Sequence, residues 1–360
     1  MSYAGVVPTP SPFEISVDLY SDTVSRPTAG MRAAMMDAPV GDEQKGEDPS
    51  TNELTELARQ LLGKNAAVFL PSGTMCNQIS YAIHCRPGDE ILVDDTAHAL
   101  HYEGGGPAAL AGALLTPITA DHGVFTADEL DKAIRPPGRH APRSRLVSIE
   151  QTSNLGGGRC WTLDEITTVT DTAKGHGLRC HMDGARLLNA VVATGVSARD
   201  FCEPFDSVWL DLSKGLGAPF GAILAGEVDF IEEAWRLKQR WGGAMRQSGI
   251  VAAAGTYALR HHVDRLADDH DHARALAEAI STHPRVSLDP AQVQTNIVIF
   301  DLIGTRTSAA DLAEQLLRET GIRIGAFGPS TLRALTHLDV TSSDIHTAGK
   351  AICALLDVVE

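Results

Sequence analysis

Short apolar runs alternate with amphipathic stretches over the first two thirds of the chain. The runs Ala66–Leu70, Glu90–Val93, Ala113–Ile118, Arg145–Ile149, Leu178–Met182, Val208–Leu212 and Ala222–Leu224 predict strands. Helical spacing of apolar positions predicts helices over Ser50–Leu62, Gly73–Ala82, Thr126–Ala133 and Leu163–Gly175. Strand and helix in regular succession imply an α/β unit. Its mostly parallel, seven-stranded sheet would lie between helices and bind ligands at the strands' carboxyl ends. Gly249–Ser281 reads as one long or broken helix, after which the pattern changes. Asn296–Leu302, Arg323–Phe327 and Thr331–Thr336 predict strands, and Ala309–Glu319 and Ser342–Val359 helices, as in a smaller C-terminal α+β domain. The expected division is an N-terminal arm over 1–17, a large domain over 18–260 and a small domain over 261–360.

Length and charge narrow the possibilities. The chain has 360 residues, room for two domains, and a formal charge of −16 that disfavours nucleic acid and anionic membrane surfaces as partners. No apolar run reaches a membrane span, and the N-terminal MSYAGVVPTPSPFE lacks the pattern of a secretory signal. The first dozen residues, with three prolines, read as a mobile or draped arm. Six cysteines without C-x-x-C pairing fit free thiols in a reducing cytoplasm.

Four stretches carry candidate chemistry. In DLSKGLGAPFG, Lys214 follows a buried strand and is ringed by small residues; an ammonium there must be paired or used chemically, for instance as a Schiff base with a carbonyl. LPSGTMCNQ places Ser72, Gly73 and Thr74 between a strand and a helix, where they would bind a phosphate or simply cap the helix. HMDGARL ends another strand with Asp183, able to hold a proton on a ring nitrogen, and Arg186, able to fork onto a carboxylate. An Asp cap with an Arg ion pair is the plainer alternative. In DTAHALHYEGGG, His98 would stack on a planar ring or move a proton, or face solvent as His101 would. The histidines of HHVDRLADDHDHARAL (261–276) lack metal-ligand spacing and fit the outer face of a helix, so no metal is expected.

A phosphate cup, a ring cover, an anion for a pyridine nitrogen and an amine for an aldehyde are together what pyridoxal phosphate requires. The set resembles the threonine aldolase family of fold-type I pyridoxal-phosphate enzymes, within the β-eliminating lyase superfamily. The motifs that carry it are DLYSDTVSRPT (18–28), VGDEQKGEDPSTNEL (40–54), HMDGAR (181–186), LSKGLGAP (212–219), GGAMRQSG (242–249) and LTHLDV (335–340). The resemblance runs from about Asp18 to the C-terminus. It implies a fold-type I, transferase-like fold and reversible cleavage of an L-threonine or L-allo-threonine type amino acid to glycine and an aldehyde.

By the same resemblance, Lys214 would bond the cofactor aldehyde, Asp183 would pair with the pyridine nitrogen and His98 would stack on the ring. Ser72, Gly73 and Thr74 would hold the phosphate. Ser21, Arg186 and Arg333 would clamp the substrate carboxylate, aligning the Cα–Cβ bond for cleavage. Arg246 would approach the cofactor across a subunit boundary in a cytoplasmic homotetramer built as a dimer of dimers.

Three positions depart from the family pattern. Ser153 stands where a histidine commonly lies beside the substrate hydroxyl; it can hydrogen-bond that hydroxyl but is a poor base. Tyr20 replaces an arginine, and Lys45 an aromatic that often lines the site. The expectation is a preferred β-hydroxy amino acid other than threonine. A β-eliminating lyase or an amino-acid racemase would use the same cofactor set, since orientation selects the bond. A non-catalytic binding protein would not be expected to keep Lys214, Asp183 and both arginines, and a nicotinamide dehydrogenase would be expected to show G-x-G-x-x-G.

Overall fold

The computed structural model describes residues 10–358. The chain forms two compact units, one of Pro27–Asp264 and one combining the segment up to Arg26 with Arg265 onward. The expected arm falls partly outside the described residues; from Ser16 the chain is bonded to Gly321 of the second unit.

The larger unit is built on a seven-stranded sheet. Within this unit its strands are labelled β1 (Ala66–Leu70), β2 (Asp89–Asp94), β3 (Leu114–Ile118), β4 (Arg143–Glu150), β5 (Arg179–Gly184), β6 (Ser207–Asp211) and β7 (Ala222–Gly226). The spatial order is β1-β7-β6-β5-β4-β2-β3. All neighbours are parallel except β7, which runs antiparallel to both β1 and β6. The reason is the short connection: 212–221 carries no helix able to cross over, so the chain turns back beside the strand it left. Every residue of β6 and β7 is buried. Successive side chains point to opposite faces, so both faces of the sheet are covered.

The covering helices begin where the sequence supplies caps. Thr162 and Glu165 form a reciprocal capping box at Leu163–Gly175, and Thr126 and Glu129 another at Ala127–Ala133. Helices Gly73–His84 and Val228–Arg240 pack Cys76, Ile79, Ile231 and Ala234 with Val68, Trp209 and Leu224 of the sheet. The second of these helices, and Leu187–Thr194 with its buried first turn, were not among the expected elements.

The long helix is broken: Gly249–His261 ends at His262, and Leu266–Ser281 starts a new element. Its histidines do not share an outer face, because His262 and His270 are buried. In the second unit, antiparallel strands Gly325–Ala326, Thr331–Leu335, Ile297–Leu302 and Val286–Ser287 form a four-stranded sheet in that order. Helices Leu266–Ser281, Ala309–Thr320 and Ser342–Val358 bury Leu276, Ile280, Leu312, Leu316, Ile352 and Leu356 with Val298, Phe300 and Leu332 of that sheet. All six cysteines are free thiols.

Candidate active site

Across the carboxyl edge of the sheet, Glu150, Asp183 and Trp209 are register partners on β4, β5 and β6. Lys214 follows β6 and adopts φ +57°, a left-handed conformation that is costly for a residue with a side chain and is found where function demands it. The strained residue opens a turn, Lys214–Leu216, closed by Gly217. His262 Nδ1 donates to the Leu216 carbonyl at 2.7 Å and anchors that turn. The Lys214 ammonium is largely buried, with Nζ 3.0 Å from Asp211 Oδ2. Asp211 is itself held by the Ser213 amide and hydroxyl, at 2.9 and 2.6 Å. The sequence D-L-S-K thus builds both the amine and its counter-ion.

Asp183 is buried and accepts from Asn77 Nδ2 at 2.8 Å and from the Ala185 amide at 3.1 Å. Asn77 has one possible orientation. The indole N–H of Trp209 can only donate, and it meets Asn77 Oδ1 at 2.7 Å, so Nδ2 must face the carboxylates of Asp183 and Glu103. His181 Nε2 lies 3.1 Å from the same Oδ1 and therefore carries its proton. Its Nδ1 accepts from Ser207 Oγ at 2.8 Å, and that oxygen accepts in turn from His84 Nε2, also at 2.8 Å. Burial drives both rings toward the neutral form this chain requires, lowering His181 to about 3 and His84 to about 4.

Burial also raises Asp183, against the pull of His98, the Asn77 amide and Lys214. Glu150 is pushed well above the carboxylate range by burial, then by Asp183 and Asp94.

His98 stands over this edge. Its Nδ1 is 3.0 Å from Glu103 Oε1 and its backbone N–H reaches Glu150 Oε2 at 3.3 Å, while the side chain stays about a third exposed beside Tyr102. Glu103 also accepts from Gln78 and Asn77.

Ser72 caps the Gly73–His84 helix by accepting from Met75 N at 3.2 Å, so the cap reading is realised. Ser72 and Thr74 are exposed beside the helix N-terminus. Gly73 is required there: a Cβ would lie 2.2 Å from the Trp209 ring.

The segment after β4 is stitched to the Asp183–Arg186 turn. Gln151 N donates to Asp183 O at 2.8 Å, Arg186 N to Gln151 O at 3.0 Å, and Arg186 Nη1 to Asn154 Oδ1 at 3.3 Å. Ser153 is fully buried in this segment. Its Oγ accepts from Gly156 N at 3.2 Å and is closed in by Gly123. The larger unit therefore brings together Lys214, Asp183, His98, Arg186 and the Ser153 segment.

In the smaller unit, Ser21 caps a short turn by accepting from Thr23 N, while buried Arg333 lies 3.8 Å over the Phe327 ring. The motifs bearing them run side by side: Leu335 N donates to Leu19 O at 2.9 Å, and Asn296 Nδ2 bridges Asp22 and Thr336. Arg246 is exposed and pairs with Asp42 Oδ2 at 3.2 Å. Its loop is anchored by Glu43, which binds Met245 N, Ser248 Oγ and the buried Lys238 ammonium. Lys45 is exposed, and Tyr20 lies under the Arg323 guanidinium at 5.4 Å. Asn77, Trp209, His181 and Asp211 were not singled out from the sequence, although Asn77, His181 and Asp211 lie inside stretches that were. Among the described residues, no group of three His, Cys, Asp or Glu is placed to hold a metal ion.

An amine and a buried carboxylate at the carboxyl ends of adjacent strands, beside a helix N-terminus, on this sheet order, define a fold-type I α/β protein. A solved structure of threonine aldolase from Leishmania major shares the fold, with a TM-score of 0.82, 19% identity, and coverage of 94% of this chain and 99% of that one. Residues 18–302 match the family described as beta-eliminating lyase, and the chain belongs to that family. It is 39% identical to low-specificity L-threonine aldolase 1 of Arabidopsis thaliana over 92% of this chain and 94% of that protein. It is also 39% identical to the low specificity L-threonine aldolase of Escherichia coli strain K12, over 91% of this chain and 96% of that protein.

Proposed function

We infer that the chain is a pyridoxal-5'-phosphate-dependent aldolase, a carbon–carbon lyase that cleaves β-hydroxy-α-amino acids of the threonine type to glycine and an aldehyde. The observation that carries this is the placement of Lys214 just after one strand and of buried Asp183 on the neighbouring strand, Asp183 being oriented by Asn77.

The residues fit the cofactor. Asp183 is buried with neutral hydrogen-bond donors, and a cationic pyridine nitrogen would be the charged partner that offsets its burial. Lys214 Nζ would hold the aldehyde carbon. The N–H groups of Gly73 and Thr74 would hold the phosphate with the Thr74 and Ser72 hydroxyls; Ser72 Oγ, while accepting from Met75, keeps its proton to donate. When bound, the cofactor supplies the sink for the electron pair left on Cα.

The chain's own residues do the rest. Arg186, held by Asn154 and the Gln151 carbonyl, presents a fork for the substrate carboxylate, and that clamp selects which bond at Cα breaks. Ser21 and Arg333 keep the carboxylate role that their motifs imply, and Arg246 its role near the cofactor at a subunit boundary, as proposals resting on those motifs. The homotetramer and cytoplasmic location belong to the same reading. Supporting assembly, Met36, Val40, Phe220 and Ile250 are large apolar side chains exposed on the larger unit. Among the described residues no helix is long and apolar enough to cross a membrane.

Product identification from the pyridoxal-phosphate-loaded protein given L-threonine and L-allo-threonine tests the function. Glycine with acetaldehyde is expected. 2-Oxobutyrate would instead mean β-elimination, and interconverted enantiomers a racemase. A threonine kcat/KM well above that for phenylserine or 3-hydroxyaspartate would remove the expected preference for another side chain. Light scattering at four times the 38.3 kDa chain mass would support the tetramer.

A further inference from the structure

Retro-aldol cleavage needs a group to take the β-hydroxyl proton, and Ser153 is not that group. Its side chain is fully buried, and its oxygen is engaged by Gly156 N–H. The space around it is filled by another segment: a Cβ on Gly123 would lie 2.0 Å from Ser153 Oγ, and one on Gly156 would lie 1.9 Å from the His122 carbonyl oxygen. The 122–123 segment and the 153–156 turn therefore interlock. Gly123 also packs on Thr96, whose amide and hydroxyl are bonded to Asp94 at the carboxyl end of β2. That places His122 at the same sheet edge as His98 and Glu150.

His122 is held in an uncommon way. Its φ is +51°, a left-handed conformation shared among the described non-glycine residues only with Lys214. Its Nδ1 lies 3.3 Å from the Gly156 carbonyl oxygen. A carbonyl can only accept, so Nδ1 carries the proton and Nε2 keeps its lone pair. The ring is half exposed, and Asp121 Oδ1 lies 3.8 Å from Nε2, where it faces the charge the ring would gain on accepting a proton.

We propose that His122 is the base for the β-hydroxyl, doing from the 121–124 loop what a serine at 153 cannot. This rests on the aldolase reading above. The O–H proton passes to His122 Nε2 as the Cα–Cβ bond breaks. The O–H electron pair becomes the second bond of the aldehyde C=O, and the Cα–Cβ pair stays on Cα. Returning one proton to Cα completes glycine, so the net change moves a proton from the β-oxygen to Cα.

The test compares two reactions of the holoenzyme. Cleavage of phenylserine and both threonine isomers needs the β-hydroxyl base; exchange of the glycine α-proton with deuterium does not. His122→Asn keeps a residue tolerant of the left-handed backbone and an N–H for Gly156. It is expected to lower the cleavage kcat about 100-fold or more, the typical contribution of a positioned base. KM should move little and glycine exchange should stay at the wild-type rate. Added imidazole should restore part of the cleavage activity in His122→Gly. Cleavage by His122→Asn within twofold of wild type overturns the proposal, as does an equal loss of cleavage and exchange, which would mark a structural role. A wild-type protein that exchanges glycine yet releases no aldehyde from any of these substrates would instead overturn the aldolase reading, and this proposal with it.

Discussion

Asn77 Nδ2 donates to Asp183 Oδ2 at 2.8 Å across 106 residues of sequence, and the Trp209 indole fixes which way round the amide lies. The bond links the helix that would hold the phosphate to the carboxylate that would hold the ring nitrogen. Asn77→Ala should therefore weaken cofactor binding as well as the fold. It strands the Trp209 and His181 donors and leaves two buried carboxylates without their shared donor. An unsatisfied buried group costs roughly 1–3 kcal/mol. A lowered apo-protein Tm together with a raised cofactor Kd, by titration of the visible absorption band, checks this.

Gly73 sits where a methyl group would meet the Trp209 ring at 2.2 Å. Gly73→Ala should push the helix start away from β6 and cost about 1–3 kcal/mol in strain. Denaturant unfolding of the apo-protein measures that loss, and slower reconstitution with pyridoxal phosphate is the expected functional sign.

Restoring the family histidine by Ser153→His should fail. Gly123 and Gly156 already crowd the Ser153 oxygen, so an imidazole there must displace the 122–123 backbone. Lower Tm and lower cleavage activity than wild type are expected; a gain in kcat at unchanged Tm would contradict the packing described here.

His181 gives a signed pH dependence. Its folded value of about 3 lies below the reference of 6.5, so the folded state binds fewer protons between them. Its contribution to stability is complete above 6.5 and is lost as pH falls toward 3. The limiting slope for one group is about 1.4 kcal/mol per pH unit. Raised carboxylates such as Glu150 act in the opposite sense but are common to wild type and variant. Urea unfolding of His181→Gln between pH 6.5 and 4.5 should show a shallower loss of stability than wild type.

Lys214→Ala should abolish turnover and the lysine-bound absorption band while leaving the fold intact. Near wild-type activity in that variant would overturn the assigned chemistry.

Much of the sheet was legible because strands buried on both faces, such as Ala66–Leu70, read as unbroken apolar runs between turn residues. Their mostly parallel direction was legible too, from the alternation of strand and helix, but the reversal of Ala222–Gly226 was not read: its five buried small or aliphatic residues do not mark direction, and only the short 212–221 connection implies it. Leu187–Thr194 escaped notice because a helix start that is almost wholly apolar has little contrast between faces. Lys214, Asp183, His98 and Arg186 stood out because charge at a strand end is unusual. Asn77 and His181 did not, since their partners lie far along the chain and only folding brings them together. His122 was hidden for the same reason, its meaning depending on Gly156 and Ser153.

The reversal at β7 has a further consequence. Leu212 N bonds Gly221 O at 3.1 Å and Ala218 N bonds Leu212 O at 3.0 Å, so both ends of the lysine segment are pinned to one edge of the sheet. A crossover connection would have left that segment attached at one end. An amine that had to release a partner and recapture it in each cycle would here be kept on a short closed tether. Its local concentration would stay high, and recapture would be an intramolecular event rather than a search.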